Sequence, residues 1–171
     1  MKRKLFTSCI IFLIVVFGAK NLLAQEAVEA ASKNAFFAEL LGNGIFFSVN
    51  YDYRLGNKFG LRGGIGFVGK NERFGGSGFS YSNTALTIPL GANLLLGKNG
   101  KYFEVGAGIT YVKGNEGVIS EEYSPITGTL NFSYRYQPLG GGVMFKIGIS
   151  PIFTNDYFDP FRPGLGIGYC W

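Results

Sequence analysis

Three acids and four bases stand where the polar face of a strand would carry them: Glu39, Asp52 and Glu104 against Arg54, Arg62, Arg135 and Lys146. Such a set is open to two readings. It is either a gated or catalytic polar cluster, or a set of ion pairs filling a narrow interior where every charge must find a partner. Three acids against four bases nearly balance, which favours pairing. Histidine is absent from the 171 residues. That removes Ser-His and Cys-His nucleophiles, histidine-held metals and the usual general base near neutral pH. Gly140-Gly141-Gly142 lacks the following helix and the Gly-Lys-Ser element of a phosphate loop, so it reads as turn and strand. Glu121, Glu122, Asp156 and Asp159 fall in polar connections. A divalent cation is one reading of them, and solvated loop charge is the favoured one. No catalytic, cofactor or metal set emerges, and the chain reads as a non-enzyme.

The elements that position these charges follow from a period of two. Phe47, Val49, Tyr51, Tyr53 and Leu55 alternate with Ser48, Asn50, Asp52 and Arg54, which is a strand pattern. The same alternation recurs around Phe59–Phe67, Leu86–Leu96, Phe103–Tyr111, Leu130–Tyr136, Val143–Ile149 and Leu165–Trp171. With Asn34–Leu41 it predicts eight strands. Connections alternate in length: tight at 56–58, 97–100 and 138–140, long and polar at 69–82, 113–125 and 153–162. Gly42-Asn43-Gly44 fits either a hairpin or a bulge, and strand parity favours the hairpin.

The two faces are inverted relative to a soluble fold. Glycine occupies 27 positions, mostly on the polar face, while charged residues make up only 16% of the chain. An apolar face about ten residues long per strand suits lipid, since membrane-spanning strands need roughly 9–11 residues. Inside a closed eight-stranded barrel there is room only for side chains, and glycines leave space for the few large polar ones. The predicted fold is therefore all-β, an eight-stranded antiparallel transmembrane up-and-down barrel spanning 34–171. Tyr51, Tyr53, Tyr134, Tyr136, Tyr169, Trp171, Phe59 and Phe103 all fall at its tight-turn end, as an interfacial girdle requires. Tyr157, Phe158 and Phe161 belong either to a girdle at the other end or to a binding edge.

Residues 1–24 read as a secretory signal peptide. Lys2, Arg3 and Lys4 precede an apolar run from Leu5 to Ala19, and Leu22-Leu23-Ala24 precedes Gln25. The run is too short for a helical membrane span of about 20 residues. Four of the sixteen bases lie in this segment, leaving twelve against eleven acids in a mature chain that starts with a short periplasmic lead, 25–33. A charge so near neutrality gives no reason to expect a nucleic-acid partner. Cys9 leaves with the signal, so Cys170 has no intramolecular partner and reads as a small inward residue.

Leu165-Gly166-Ile167-Gly168-Tyr169-Cys170-Trp171 resembles the terminal strand of bacterial outer-membrane barrels. Ile88–Gly97, Phe103–Gly108 and Tyr134–Pro138 also look like segments of the small eight-stranded members, of the OmpA transmembrane-domain and OmpX-like type. The resemblance spans nearly the whole mature chain. It implies outer-membrane residence, contact with lipid and lipopolysaccharide, and a terminal signal (Leu165, Ile167, Tyr169, Trp171) read by the barrel-assembly machinery. It also implies a lumen plugged by salt bridges and a structural or interaction role through the outer loops, with a surface partner of unknown identity. The alternatives are a narrow pore or conduit for a small apolar solute, and a secreted soluble barrel binding lipid inside.

The exported protein is expected to begin near Gln25 and to sediment with outer-membrane fractions. Intact-mass measurement and cell fractionation check both; a retained Met1 or recovery in the soluble periplasm contradicts the reading.

Overall fold

The computed structural model describes residues 32–70, 83–114 and 124–171. The segment expected to be a signal peptide, nearly all of the expected lead, Glu121 and Glu122 lie outside the described residues. Ten strand segments form one antiparallel sheet: β1 (Asn34–Leu40), β2 (Phe47–Arg54), β3 (Phe59–Lys70), β4 (Asn83–Lys98), β5 (Lys101–Lys113), β6 (Ile126–Tyr136), β7 (Gly142–Ile149), β8 (Ile152–Phe153), β9 (Phe158–Asp159) and β10 (Pro163–Cys170). From β1 to β7 each strand pairs with the next in sequence, and β10 closes the wall on both β7 and β1. β8 pairs with β6 in the same register as β7, so these two are one strand broken at Ser150-Pro151. Pro151 has no N–H to give the ladder, and its carbonyl instead accepts from Leu130 N at 2.8 Å. The wall is thus a closed eight-stranded antiparallel barrel, with β9 lying outside it as an addition.

All eight strands lie where the period of two places them, and parity assigns the faces. Ser48, Asn50, Asp52 and Arg54 of β2 are buried, whereas Tyr51, Tyr53 and Leu55 are exposed. The connection between β4 and β5 is a two-residue turn. Asn99 and Gly100 have φ of 57° and 76°, the Asn-Gly type I′ geometry whose twist matches that of the strands it joins.

Gly42-Asn43-Gly44 lies in a hairpin, since β1 pairs with β2 antiparallel from Leu40↔Phe47 down. Here the strand ends earlier than its alternation suggests. Ile45 leaves β2, takes φ of 77° and is fully buried with Val68, Ala85 and Val112. A β-branched residue at positive φ is a backbone outlier. Its surroundings hold it there. Thr110 Oγ1 donates to the carbonyl of Asn43, Thr87 Oγ1 to that of Gly44, and Arg162 Nη2 to that of Ile45 at 2.6 Å. The β1–β2 turn therefore folds over the long-loop end of the lumen as a cap. At the tight-turn end, Gln137 Nε2 donates to the carbonyl of Ser32 at 2.7 Å, and Ser32 Oγ to that of Pro138 at 2.9 Å. Both ends of the interior are covered.

Close packing fixes the inward glycines. A Cβ on Gly168 would stand 2.1 Å from the carbonyl oxygen of Phe36 and 2.4 Å from Phe37 Cβ, whereas one on Gly56 would meet nothing within 4 Å. Gly168→Ala is accordingly expected to destabilise the barrel by about 1–3 kcal/mol or more. Gly56→Ala should stay within about 0.5 kcal/mol of the parent. Denaturant unfolding of the two variants provides the comparison.

Candidate functional site: the charged interior

Each of the seven charges read from strand parity points into the lumen and is nearly or fully buried. Asp52 and Glu104 are the two hubs. Arg62 on β3 grips Asp52 with both arms of its fork, Nε to Oδ1 at 3.0 Å and Nη2 to Oδ2 at 3.0 Å. This is the bidentate geometry that suits guanidinium to carboxylate. The same Nη2 reaches Glu104 Oε1 on β5 at 2.7 Å. Arg135 Nη1, from β6, bonds Asp52 Oδ2 and also Glu104 Oε2, the latter at 2.8 Å. Glu104 thus meets both Arg62 and Arg135. Lys146 Nζ pairs with Glu39 Oε1 at 2.6 Å and lies 3.4 Å from Glu104 Oε1.

One of the seven departs from the expected pairing. Arg54 forms no ion pair with a carboxylate; its Nη1 donates to Asn93 Oδ1 at 3.0 Å and to the carbonyl of Lys58 at 3.3 Å. Three acids are satisfied by three of the four bases, and β2 carries Arg54 toward the tight-turn end, two residues beyond Asp52. The expectation that all four bases pair with acids is corrected here for Arg54.

The structure also adds members that counting charges misses. Asn93 Nδ2 donates to Asp52 Oδ1 at 3.1 Å, and Asn131 Nδ2 to Glu104 Oε1 at 2.8 Å. These amides fill carboxylate lone pairs that the bases leave open. Phe37, fully buried, sits among the cations: Arg62 Cζ is 4.9 Å from its ring centroid, and Arg135 Cζ and Lys146 Nζ are each 5.7 Å away. A ring face attracts cations through its quadrupole, so Phe37 is a third, uncharged hub. Its parity with Glu39 was the available signal, since residues two apart share a face.

Glu39 joins this network to the cap. Its Oε2 accepts from Asn43 N at 3.2 Å, and its carboxyl carbon lies where a Cβ on Gly42 would be, at 2.1 Å. Above and below the charged layer the filling is apolar: Ile45, Val68, Ala85 and Val112 at the long-loop end, Leu95 and Tyr102 at the other. Cys170 is buried with Ala35, Phe37 and Met144, as a small inward residue.

The remaining singled-out residues lie elsewhere. Leu165, Ile167, Tyr169 and Trp171 all face outward and are more than half exposed. Trp171 exchanges two backbone hydrogen bonds of 3.0 Å with Asn34, and its ring lies 6.4 Å from that of Tyr51. Phe158 and Phe161 are exposed beside β9, and Asp159 pairs with Arg162 at 3.7 Å. Among the described residues no three His, Cys, Asp or Glu side chains are grouped to hold a metal. Chemically, the lumen is a set of carboxylates already committed to cations. No family model, curated protein or solved structure matches the chain.

Paired charges in a dry site make a specific double-mutant pattern. Glu39→Met and Lys146→Met should each destabilise by about 3–5 kcal/mol, because each leaves the other charge buried. The double variant should recover part of that loss, with a coupling of roughly 0.5–3 kcal/mol in an unfolding cycle.

Proposed function

We propose that the chain is a small integral outer-membrane barrel with a plugged, non-conducting lumen. Its role is structural or interactive, exerted through the segments at the long-loop end. The observation that carries this reading is the inversion of the two faces. Ile65, Leu90 and Ile147 are 63%, 51% and 57% exposed around the outside, while Arg135 and Glu104 are wholly buried within. Water as the surrounding solvent would reward the opposite arrangement. Hydrocarbon rewards this one, because a closed barrel satisfies its backbone internally and presents apolar side chains to lipid.

The dimensions support the same reading. From Phe59 to Phe67 the outward apolar run of β3 covers roughly 27 Å along the strand, or about 20 Å after a tilt near 40°. Outer-membrane barrels carry an apolar band of about 25 Å. Tyr51, Tyr53, Tyr169 and Trp171 form an exposed ring at the tight-turn end, and Phe67, Tyr111 and Phe153 stand exposed toward the other. Such belts suit the two interfaces of a bilayer. Lipid, lipopolysaccharide and the assembly machinery are the partners this reading entails. A soluble lipid carrier calls for an apolar cavity, whereas the centre of this interior is charged and filled.

Solvent identity can be read from one substitution. Leu90→Arg should cost about 2–4 kcal/mol when the barrel is folded in a bilayer. The same change on a water-facing surface costs no more than about 0.5 kcal/mol, so a neutral result defeats the membrane reading. Reconstituted in planar bilayers, the parent protein is expected to show no steady open-channel current. A sustained conductance would transfer support to the narrow-pore alternative.

A further inference from the structure

Arg54 is the residue the pairing scheme leaves over. Among the described residues the lumen holds four buried bases and three buried acids, so one positive charge exceeds the pairs. Arg62, Arg135 and Lys146 take the carboxylates. Arg54 Nη1 has two neutral acceptors, Asn93 Oδ1 and the carbonyl of Lys58, while its Nε and Nη2 have none. Only 3% of the residue is exposed. A guanidinium stays charged, and a buried charge without an opposite one is costly. Asp52 forms no ion pair with it, the two sharing only the amide of Asn93, and Asp52 is already shared by Arg62 and Arg135.

A second observation has the same sign. Among the described residues, the unpartnered buried polar atoms in the tight-turn half of the lumen are three N–H donors, Arg54 Nε and Nη2 and Arg135 Nε, with the Tyr102 hydroxyl, which can donate or accept, and the acceptor Gln137 Oε1. Tyr102 and Arg135 face each other directly in the β5–β6 register, so two of these groups come from opposed side chains. Surplus positive charge together with free N–H and O–H groups is a recognition pattern for an anion. The charge to be balanced is a single unit, and the space is small. A Cβ at Gly60 would already stand 2.9 Å from Asn93 Oδ1 and 3.2 Å from Arg54 Nη1, and a barrel of eight strands is filled by its own side chains.

We propose that Arg54, through Nε and Nη2, holds a small monovalent inorganic anion of the chloride type in the tight-turn half of the lumen. The proposal concerns the interior alone and is independent of whether lipid or water surrounds the barrel.

Bromide is the probe, because it scatters anomalously and resembles chloride in size. Crystals of the folded protein soaked in sodium bromide should show an anomalous peak within about 3.5 Å of Arg54 Nε or Nη2, near the upper end of hydrogen-bond distances. In solution, chloride should raise the melting temperature relative to gluconate at equal ionic strength. The shift should reach roughly 5–10 °C at a hundredfold excess over the dissociation constant. Arg54→Gln should lose that chloride-specific shift. A peak at Arg54 supports the site even if the variant does not fold. Absence of bromide at Arg54, or an undiminished chloride shift in Arg54→Gln, overturns it.

Discussion

Desolvation of charge is the constraint on which the barrel depends. Seven ionised side chains occupy a space from which water is largely excluded, and a single unpaired carboxylate there is worth several kcal/mol against folding. Asp52 and Glu104 meet this by each binding more than one cation. The pairs reach across the barrel: Arg135 on β6 and Asp52 on β2 belong to strands diametrically opposed in the ring of eight. Buried ion pairs are weak contributors to net stability; here their effect falls on register. Slipping β2 by one residue would turn Asp52 to the outer face and leave Arg62 and Arg135 unmatched. The inward glycines answer instead to the closeness of the wall itself, since a Cβ at Gly66, Gly148 or Gly168 would stand within 2.2 Å of a neighbouring strand's carbonyl oxygen.

Strand identity and facing were legible from the residues, because a period of two is a local property. Parity put Glu39, Asp52, Arg54, Arg62, Glu104, Arg135 and Lys146 on one face, and all seven are interior. Which charges meet was not legible. Contact across the lumen depends on the stagger of strands around the ring, a quantity that no single strand carries. Hence Asn93 and Asn131 gave no sign of their role, and the excess of one base could be counted but not located at Arg54. Ile45 escaped for a different reason. Alternation assumes continuous extended backbone, and positive φ at Leu41 and Ile45 breaks it within the β1–β2 turn. Phe37 was masked by its type: parity with Glu39 puts it on the inner face, but an aromatic in an apolar stretch does not say that cations will surround it.

The covered ends bear on how the charged layer survives. Ile45 and its apolar neighbours lie on the long-loop side, and Ser32 with Gln137 on the other. Both keep bulk water from competing for the ion pairs. Glu39 binds the cap with one oxygen and Lys146 with the other, so cap and charged layer are mechanically one unit. Loosening the β1–β2 turn would hydrate the interior from above. Loosening the charges would in turn free the turn.

The seam between β1 and β10 imposes an order on folding. Asp52 and Arg62 are 10 residues apart and Glu104 and Arg135 are 31 apart, each pair on neighbouring strands of one hairpin. Lys146 and Glu39 are separated by 107 residues and lie on strands that β10 must bring together. The early hairpins can therefore neutralise part of their own charge before the ring closes, and the last strand completes the rest. Contacts of such separation are slow to form. An unclosed chain would display half-matched charges beside bare sheet edges. Closure by β10 is then the step at which this chain is most exposed to pairing with the wrong partner.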